Sequence, residues 1–288
     1  MSYDGSFSVW DTKGNRKRLK LTAGEKQVHQ VRFDPNNQNS LLALNTNNTA
    51  TVLDITNQDA AIDLPLLSSQ ISDGDFDPNN PNMLATASVD GQVQIWNLQK
   101  LTEPLKPERK FSASQENIWR VKFDPRNSNR LLTMGSDGIA RLWDVNSLSI
   151  IAELSGHEDF VVDGSFDPNA PNRFLTVSHD GTARLWDLRI PNSPLIIRVT
   201  SGKVLYGGFD PQDGNKVITV SDDGIARVFN LGNKEILKSA WHGASRCLEE
   251  EETLIYRLQD NLPDLLLNKL SSLAQSDIND ISQKNNCQ

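Results

Sequence analysis

The stretch His179-Asp180-Gly181-Thr182-Ala183-Arg184-Leu185-Trp186-Asp187 decides the fold of this chain. Its Asp-Gly pair predicts a tight turn, and the alternating residues from Thr182 to Trp186 predict a strand over residues 182–188. The same arrangement, an Asp-Gly pair followed by a stretch that ends in an aromatic residue, occurs again elsewhere. These copies run from Asp4 to Trp10, Asp90 to Trp96, Asp137 to Trp143 and Asp223 to Phe229. Such recurrence indicates a protein built from repeats.

A second landmark, the triplet Phe-Asp-Pro, gives the length of the repeat. It starts at Phe33, Phe76, Phe123, Phe166 and Phe209, so the steps are 43, 47, 43 and 43 residues. Each unit divides into four short stretches bounded by Gly, Pro, Asn and Asp, and no connection has room for a crossover helix. One such unit cannot bury both its faces, whereas radially arranged neighbours cover each other. The sequence therefore predicts an all-β propeller of four-stranded antiparallel blades.

The ends of these stretches resemble WD40 repeats. Leu185-Trp186-Asp187, Leu142-Trp143-Asp144 and Val9-Trp10-Asp11 carry the Trp-Asp ending of that family, Ile95-Trp96-Asn97 is close to it, and Gly156-His157 matches its opening Gly-His pair. The resemblance covers roughly residues 3–240 and implies a propeller that binds proteins or peptides. The run of near-regular repeats is also similar to the WD40 tails of bacterial signalling NTPases.

The resemblance further implies a hydrogen-bonded structural tetrad in one repeat. Its members are His157, Ser178, Asp180 and Trp186. In this arrangement the His donates to the Asp, and the Ser hydroxyl links to the indole N–H. The Ser and Asp positions recur in other repeats, which favours a structural role over a Ser-His-Asp hydrolase site. Because the other repeats lack the His, we expect their blades to depend more on packing.

Both ends of the chain are expected to share one blade. Residues 5–22 align with the third and fourth strands of a repeat, and five full blades then run to about residue 241. Residues 245–249 and 253–261 could supply the two missing strands, although this segment lacks the Phe-Asp-Pro triplet and is shorter than the usual step. Joining the chain ends in one composite blade of a six-bladed ring removes exposed strand edges that would otherwise invite aggregation. The alternative is a C-terminal regulatory or sensor fragment of a larger WD40 signalling protein.

The apolar spacing changes from strand-like to helical after residue 261. The leucines that follow this helical period are Leu262, Leu265, Leu266, Leu270 and Leu273. Pro263 and Asp264 stand near the start, as helix N-termini prefer. We therefore divide the chain into a WD40-type propeller over residues 1–261 and a short C-terminal helix with a polar tail over residues 262–288. The helix either caps the composite blade or binds a partner.

One face of the propeller is expected to bind the partner. In WD40 proteins, the loops that enter the inner strands commonly bind proteins and peptides. Blades three to five place apolar side chains there in an otherwise polar, acidic protein, which is typical of an interaction surface. The predicted partner-binding residues are Trp119, Phe160, Val162, Leu205, His29 and His179. The alternative is that some of them, Trp119 and Phe160 above all, lie in the blade interfaces.

The composition argues against several other functions. Lys and Arg number 29 against 37 Asp and Glu, a net charge of −8, and no basic patch favours nucleic acid. The chain has no apolar run of about 18 residues, so no membrane span is predicted, and its N-terminus lacks the pattern of a secretory signal. The four histidines have no His or Cys partner at ligand spacing, so neither a metal nor a cofactor is expected. The two cysteines, Cys247 and Cys287, indicate free thiols in a reducing compartment.

The sequence therefore predicts a non-catalytic, monomeric, cytoplasmic WD40 scaffold that binds a protein or peptide on its loop face. The second hypothesis is a propeller enzyme with a site in the central channel. Such an enzyme would need several titratable groups that converge on the axis. The pattern predicts small, apolar and mixed residues there instead.

Overall fold

The computed structural model describes residues 6–9, 19–22, 28–57, 61–65, 69–100 and 105–231. Met1–Phe229 forms one compact unit, and Asn230–Gln288 is a second, of which only residues 230 and 231 are described. All regular elements within the described ranges are β-strands. The all-β class predicted from the repeats is therefore confirmed.

The first element is a hairpin of two antiparallel strands, β1 (Ser6–Val9) and β2 (Leu19–Thr22). Blade 1 consists of β3 (Val28–Asp34), β4 (Asn37–Asn45), β5 (Thr49–Asp54) and β6 (Ile62–Pro65). Blade 2 consists of β7 (Ile71–Phe76), β8 (Met83–Ser88), β9 (Gln92–Asn97) and β10 (Arg109–Ser112). Blade 3 consists of β11 (Ile118–Asp124), β12 (Asn127–Gly135), β13 (Ala140–Asp144) and β14 (Ser149–Leu154).

Blades 4 and 5 repeat the same order of strands. Blade 4 consists of β15 (Val161–Phe166), β16 (Arg173–Ser178), β17 (Thr182–Asp187) and β18 (Leu195–Arg198). Blade 5 has three described strands, β19 (Val204–Asp210), β20 (Asp213–Ser221) and β21 (Ala226–Asn230). Each blade is an antiparallel meander, as expected for consecutive strands joined by short turns. These sheets are consistent with a β-propeller.

The Asp-Gly pairs form the tight turns between the second and third strands. In blade 4, Gly181 has a φ of +81°, and a Cβ atom there would lie 2.4 Å from the Thr200 carbonyl oxygen. Glycine adopts this left-handed conformation without steric cost. Blade 1 has Asn48 at the equivalent position, with a φ of 65°. Asn is one of the few other residues that tolerate it, so the degenerate repeat keeps the same turn.

Apolar side chains between consecutive blades form the core. Trp96 of blade 2 packs with Leu42 and Leu44 of blade 1. Trp186 of blade 4 packs in the same way with Leu132 and Leu142 of blade 3. The aromatic residue that ends a repeat is thus buried against the preceding blade, so no blade completes its core alone.

The Phe-Asp-Pro triplets link neighbouring blades at one edge. The Asp34 carboxylate accepts the Asn36 N–H at 2.8 Å, which closes the turn. The side chain after the Pro then donates to a backbone carbonyl of the next blade: Asn36 Nδ2 lies 2.8 Å from the oxygen of Asp77. Asn79 donates to Asp124 at 3.2 Å in the same way. The triplet is therefore both a turn and an interblade link.

Several predictions about the chain ends lie outside the described residues. The hairpin expected over residues 5–22 is present as β1 and β2, and Val9 packs against the apolar cluster of blade 1 that Val28, Leu41, Ala43 and Leu53 form. The fourth strand of blade 5, the segment 245–261 and the helix from residue 262 lie outside the described ranges. The composite blade and the division at residues 261 and 262 stay predictions.

Candidate functional site

A β-bulge interrupts the first strand of every blade just after its start. The shifts in register fall at the residue four positions before each Phe of the Phe-Asp-Pro triplet. The bulged residues are His29, Ser72, Trp119, Val162 and Leu205. Because a bulge changes the direction of a side chain relative to the sheet, this position differs from the rest of each strand. Four of the five bulged residues are predicted partner-binding residues. The fifth, Ser72 of blade 2, is not among them.

The loop that enters each first strand meets the turn between the second and third strands. In blade 4, the His179 N–H donates to the Phe160 carbonyl at 3.0 Å. The equivalent bonds in blades 3 and 5 join Ser136 to Asn117 and Asp222 to Lys203, both at 2.9 Å. These loops and turns therefore lie at one edge of the blades, which we call the loop face.

Three of the predicted residues form an aromatic strip on the loop face, across blades 3 and 4. The ring centroids of Trp119 and Phe160 are 6.3 Å apart, and those of Phe160 and His179 are 5.8 Å apart. Phe160 is 38% exposed, whereas Trp119 and His179 are half-buried. His29, Val162 and Leu205 are half-buried at the bulges of blades 1, 4 and 5.

Three bulge positions carry buried polar atoms that have no hydrogen-bond partner within the described part of the chain. These atoms are His29 Nδ1, Ser72 Oγ and Trp119 Nε1. An unsatisfied buried polar atom costs stability, and native proteins keep few of them. Departures from stability rules of this kind are typical of functional sites. The three unpaired atoms therefore support a functional role for the bulge positions. The sequence pattern alone does not reveal these atoms.

The histidines of the loop face have lowered pKa values. Burial lowers the pKa of His179, and Lys203 lowers it further, against the opposing effects of Asp159 and Asp222. Burial also lowers the pKa of His29, against the attraction of Asp73. Both side chains are therefore neutral at neutral pH and act as aromatic rings rather than as cations.

The tetrad predicted for the fourth repeat differs from expectation in one member. Trp186 Nε1 donates to Thr176 Oγ1 at 2.7 Å, not to Ser178. Thr176 Oγ1 lies 2.8 Å from His157 Nε2, and His157 Nδ1 lies 2.8 Å from the Asp180 carboxylate. The assignment of Ser178 is therefore wrong, because its hydroxyl donates to the Asp159 carbonyl and accepts the Asp180 N–H, both at 3.0 Å.

Strand register explains the exchange of Ser178 for Thr176. Trp186 pairs with Phe174, so Thr176 stands one pleat further along β16 and Ser178 two pleats further. The indole reaches only the nearer hydroxyl. The same bond recurs from Trp96 to Thr86 at 3.0 Å and from Trp143 to Thr133 at 2.9 Å. A Thr ten residues before each of these three Trp residues is thus a pattern that is visible in the sequence.

Hydroxyl groups and arginines replace the missing His in other blades. Ser114, at the position equivalent to His157, donates to the Asp137 carboxylate at 3.1 Å. Arg141 bonds the same carboxylate at 2.5 Å. In blade 5, Arg227 pairs with Asp223 at 2.6 Å. Blades 3 and 5 therefore keep bonds at their turn aspartates without the His, and the expectation that these blades depend more on packing stays a prediction.

The expectation of small, apolar and mixed residues towards the axis is incomplete, because the first strands of neighbouring blades also carry charged side chains. Arg32 of blade 1 pairs with the buried Asp73 of blade 2 at 3.0 Å, and Arg120 lies 3.7 Å from Asp163. Asp73 also accepts the Val121 N–H of blade 3 at 3.1 Å. Burial raises the pKa of Asp75 to about 6, against the attraction of Lys122 and Arg32. The sequence missed these groups because their partners lie on other blades.

These charged side chains bond to groups of neighbouring blades. Asp75 accepts the Phe123 N–H at 2.9 Å, as Asp163 accepts the Gly207 N–H at 3.3 Å. Within the described ranges, no three His, Cys, Asp or Glu side chains are grouped as metal ligands. A search of the same residues found no helix with the length and apolar character of a membrane span. The charged side chains of the first strands therefore link neighbouring blades.

Comparison with protein families places the chain in a known repeat class. The family model described as "WD domain, G-beta repeat" matches residues 67–97, 105–144 and 148–187. The second and third matches each contain the outer strand of one blade and the three inner strands of the next. No curated protein matches the chain. These matches identify the three stretches as WD40 repeats, which generally mediate protein interactions as scaffolds and are typically non-catalytic.

Proposed function

We propose that this chain is a non-catalytic WD40 scaffold that captures a protein or peptide on its loop face. The observation that supports this function is the aromatic strip, in which the exposed Phe160 ring lies between Trp119 and His179. Buried aromatic anchors dominate the binding energy of many interfaces. An aromatic ring that is left exposed beside two others offers such an anchor to a partner.

A comparison of affinities tests this function. A partner is first isolated on the immobilised full-length chain and identified by mass spectrometry. Its affinity is then measured for the wild type and for Phe160→Ala. Removal of a central anchor typically costs about 2 kcal/mol or more, which is roughly a 30-fold loss of affinity. Phe160 is a cleaner test than Trp119, because the indole N–H of Trp119 is buried.

Ile151→Ala is the matched control for Phe160→Ala. Ile151 is similarly exposed, but it lies on β14, the outer strand of blade 3. The control should bind the partner like the wild type, and both variants should keep the circular dichroism of the wild type. Equal affinity of Phe160→Ala and Ile151→Ala would contradict the proposal.

We further propose that both chain ends complete one blade, with residues 245–261 as the first two strands beside β1 and β2. Two open faces support this closure. Val228 of blade 5 is 64% exposed, whereas Leu185, its equivalent in blade 4, is 7% exposed. Phe33 of blade 1 is 55% exposed, whereas Phe76 of blade 2 is 2% exposed. A blade between blades 5 and 1 would cover both faces.

The remaining parts of the proposal concern the setting of the scaffold. We propose that it acts as a monomer in the cytoplasm, with Cys247 and Cys287 as free thiols. Protein partners rather than nucleic acid or a membrane fit its net charge of −8. Size-exclusion chromatography with light scattering tests the monomeric state directly.

A further inference from the structure

The turn aspartates of blades 3 to 5 are neutralised within their own blades. Arg141 pairs with Asp137 at 2.5 Å, and Arg227 pairs with Asp223 at 2.6 Å. Arg184 lies 3.8 Å from Asp180 in blade 4. Because each carboxylate has a guanidinium four residues further along the chain, these turns add little net charge to the loop face.

The other charged side chains in the described loops of this face are mostly acidic. They are Asp90, Glu116, Glu158, Asp159, Asp222 and Lys203. Glu116, Glu158 and Asp222 are exposed, and Asp159 is half-buried. Asp159 directly precedes Phe160, and Asp159 and Asp222 act electrostatically on His179 against the exposed Lys203, whose effect is the largest of the three. The aromatic strip is therefore surrounded by an excess of negative charge, in a chain with a net charge of −8.

The strip itself suits a cation. Aromatic faces attract Lys and Arg side chains that lie within about 6 Å of the ring centroid. His179 is neutral because burial lowers its pKa, so it does not oppose a positive charge. Surrounding carboxylates add long-range attraction for a basic segment and disfavour an acidic one.

We infer that the partner segment captured on the loop face is a basic peptide, with an Arg or Lys side chain placed over Phe160 and flanked by Asp159 and Asp222. This inference rests on the proposed function and names the chemistry of its partner. The aromatic strip supplies the contact surface, and the carboxylates select the charge. An apolar peptide would use the same rings without any dependence on the acidic residues.

A selection from a library of random heptapeptides, displayed on phage and captured on the full-length chain, tests this inference. The selected peptides should be enriched in Arg and Lys relative to the unselected library. A labelled peptide of the consensus sequence should bind about 2-fold to 30-fold more weakly to Phe160→Ala than to the wild type. Ile151→Ala should bind it like the wild type.

A charge variant separates the acidic residues from the rings. The double variant Glu158→Gln and Asp222→Asn should bind the consensus peptide several-fold more weakly at low salt, and higher salt should reduce the difference. The control is Asp213→Asn, which removes a charge at the opposite end of β20 from Asp222. It should leave the affinity unchanged.

The outcomes distinguish this inference from the proposed function. Two results would overturn the inference and leave the loop-face function intact. The selected peptides could depend on Phe160 but lack basic residues, or they could bind the charge variant as tightly as the wild type. Peptides that bind Phe160→Ala as tightly as the wild type would overturn both. A library that yields no peptide above background would also count against both. Circular dichroism and the unfolding midpoint confirm that every variant is folded.

Discussion

The hydrogen bonds around His157 form a continuous chain from the Trp186 indole to the Asp180 carboxylate. The Trp186 N–H donates to Thr176 Oγ1, whose hydroxyl donates to Nε2 of a neutral His157. Nδ1–H of His157 then donates to Asp180. Burial lowers the pKa of His157 despite this bond, which agrees with the neutral ring. Burial alone would raise the pKa of Asp180, but hydrogen bonds from His157 and Thr182 outweigh it and hold that pKa well below its usual range.

Asp180→Ala should lower the free energy of unfolding by about 1–3 kcal/mol, because it leaves the buried His157 N–H unpaired. Chemical denaturation measures this loss. Glu116→Ala is the control, since it removes the same charge from an exposed side chain. Asp63 on β6 is unsuitable as a control, because it accepts the Thr51 hydroxyl at 2.6 Å. Equal losses in the two variants would contradict the structural role of Asp180.

Asp75 should destabilise the folded state at neutral pH, whereas Asp180 stabilises it. Its pKa is raised to about 6, so the folded state binds the proton more tightly than the unfolded chain, whose Asp pKa is about 4. The ionised carboxylate therefore destabilises the fold above pH 6, and this penalty is relieved as the pH falls from about 6 to about 4. Asp75→Asn should exceed the wild type in free energy of unfolding at pH 8, and the excess should shrink towards pH 4. A variant that is less stable than the wild type at pH 8 would contradict this assignment.

At the scale of the strand and turn, local patterns in the sequence predict the blades closely. The alternation after Gly181 predicts a strand over residues 182–188, and β17 spans Thr182–Asp187. Local patterns fail where the partner lies on another strand or blade. The choice of Thr176 over Ser178 depends on register, and Asp73 is held by Arg32 from the preceding blade. The loop-face positions could be predicted because each stands at a constant distance from its Phe-Asp-Pro triplet.

Each interblade link at a Phe-Asp-Pro turn should make its own contribution to the free energy of unfolding. Asn36→Ala removes the bond from the Asn36 side chain to the Asp77 carbonyl but keeps the backbone turn at Asp34. We expect a loss of about 0.5–1.5 kcal/mol in the free energy of unfolding. Gln38→Ala, at an exposed position just after this turn, should cost less. If both substitutions cost the same, the interblade bond does not contribute measurably.

At the scale of the whole molecule, each blade depends on its neighbours for its core. Trp96 and Trp186 are buried only because the preceding blade supplies Leu42 and Leu132. Val228 of blade 5 and Phe33 of blade 1 are exposed at the two faces between which the proposed composite blade would stand. A stack of sheets that leaves such faces uncovered exposes apolar surface and strand edges.

Deletion of residues 245–288 should therefore cause aggregation or a loss of cooperative unfolding, because two strands of the proposed blade would be missing. Light scattering and thermal unfolding measure these effects. Deletion of residues 275–288 alone, the polar tail, is the control and should change neither. If the longer deletion leaves a monomer with an unchanged midpoint, the composite blade is wrong.

Hydrogen–deuterium exchange with and without the captured partner tests the binding face most directly. We predict that the partner slows exchange in the loops at residues 113–119, 155–162 and 199–205, which carry the aromatic strip and its neighbours. Exchange in the Phe-Asp-Pro turns at residues 34–36 and 77–79, at the opposite edge of the blades, should not change. Protection confined to those turns or to the outer strands, with none in the loops around Phe160, would contradict binding on the loop face.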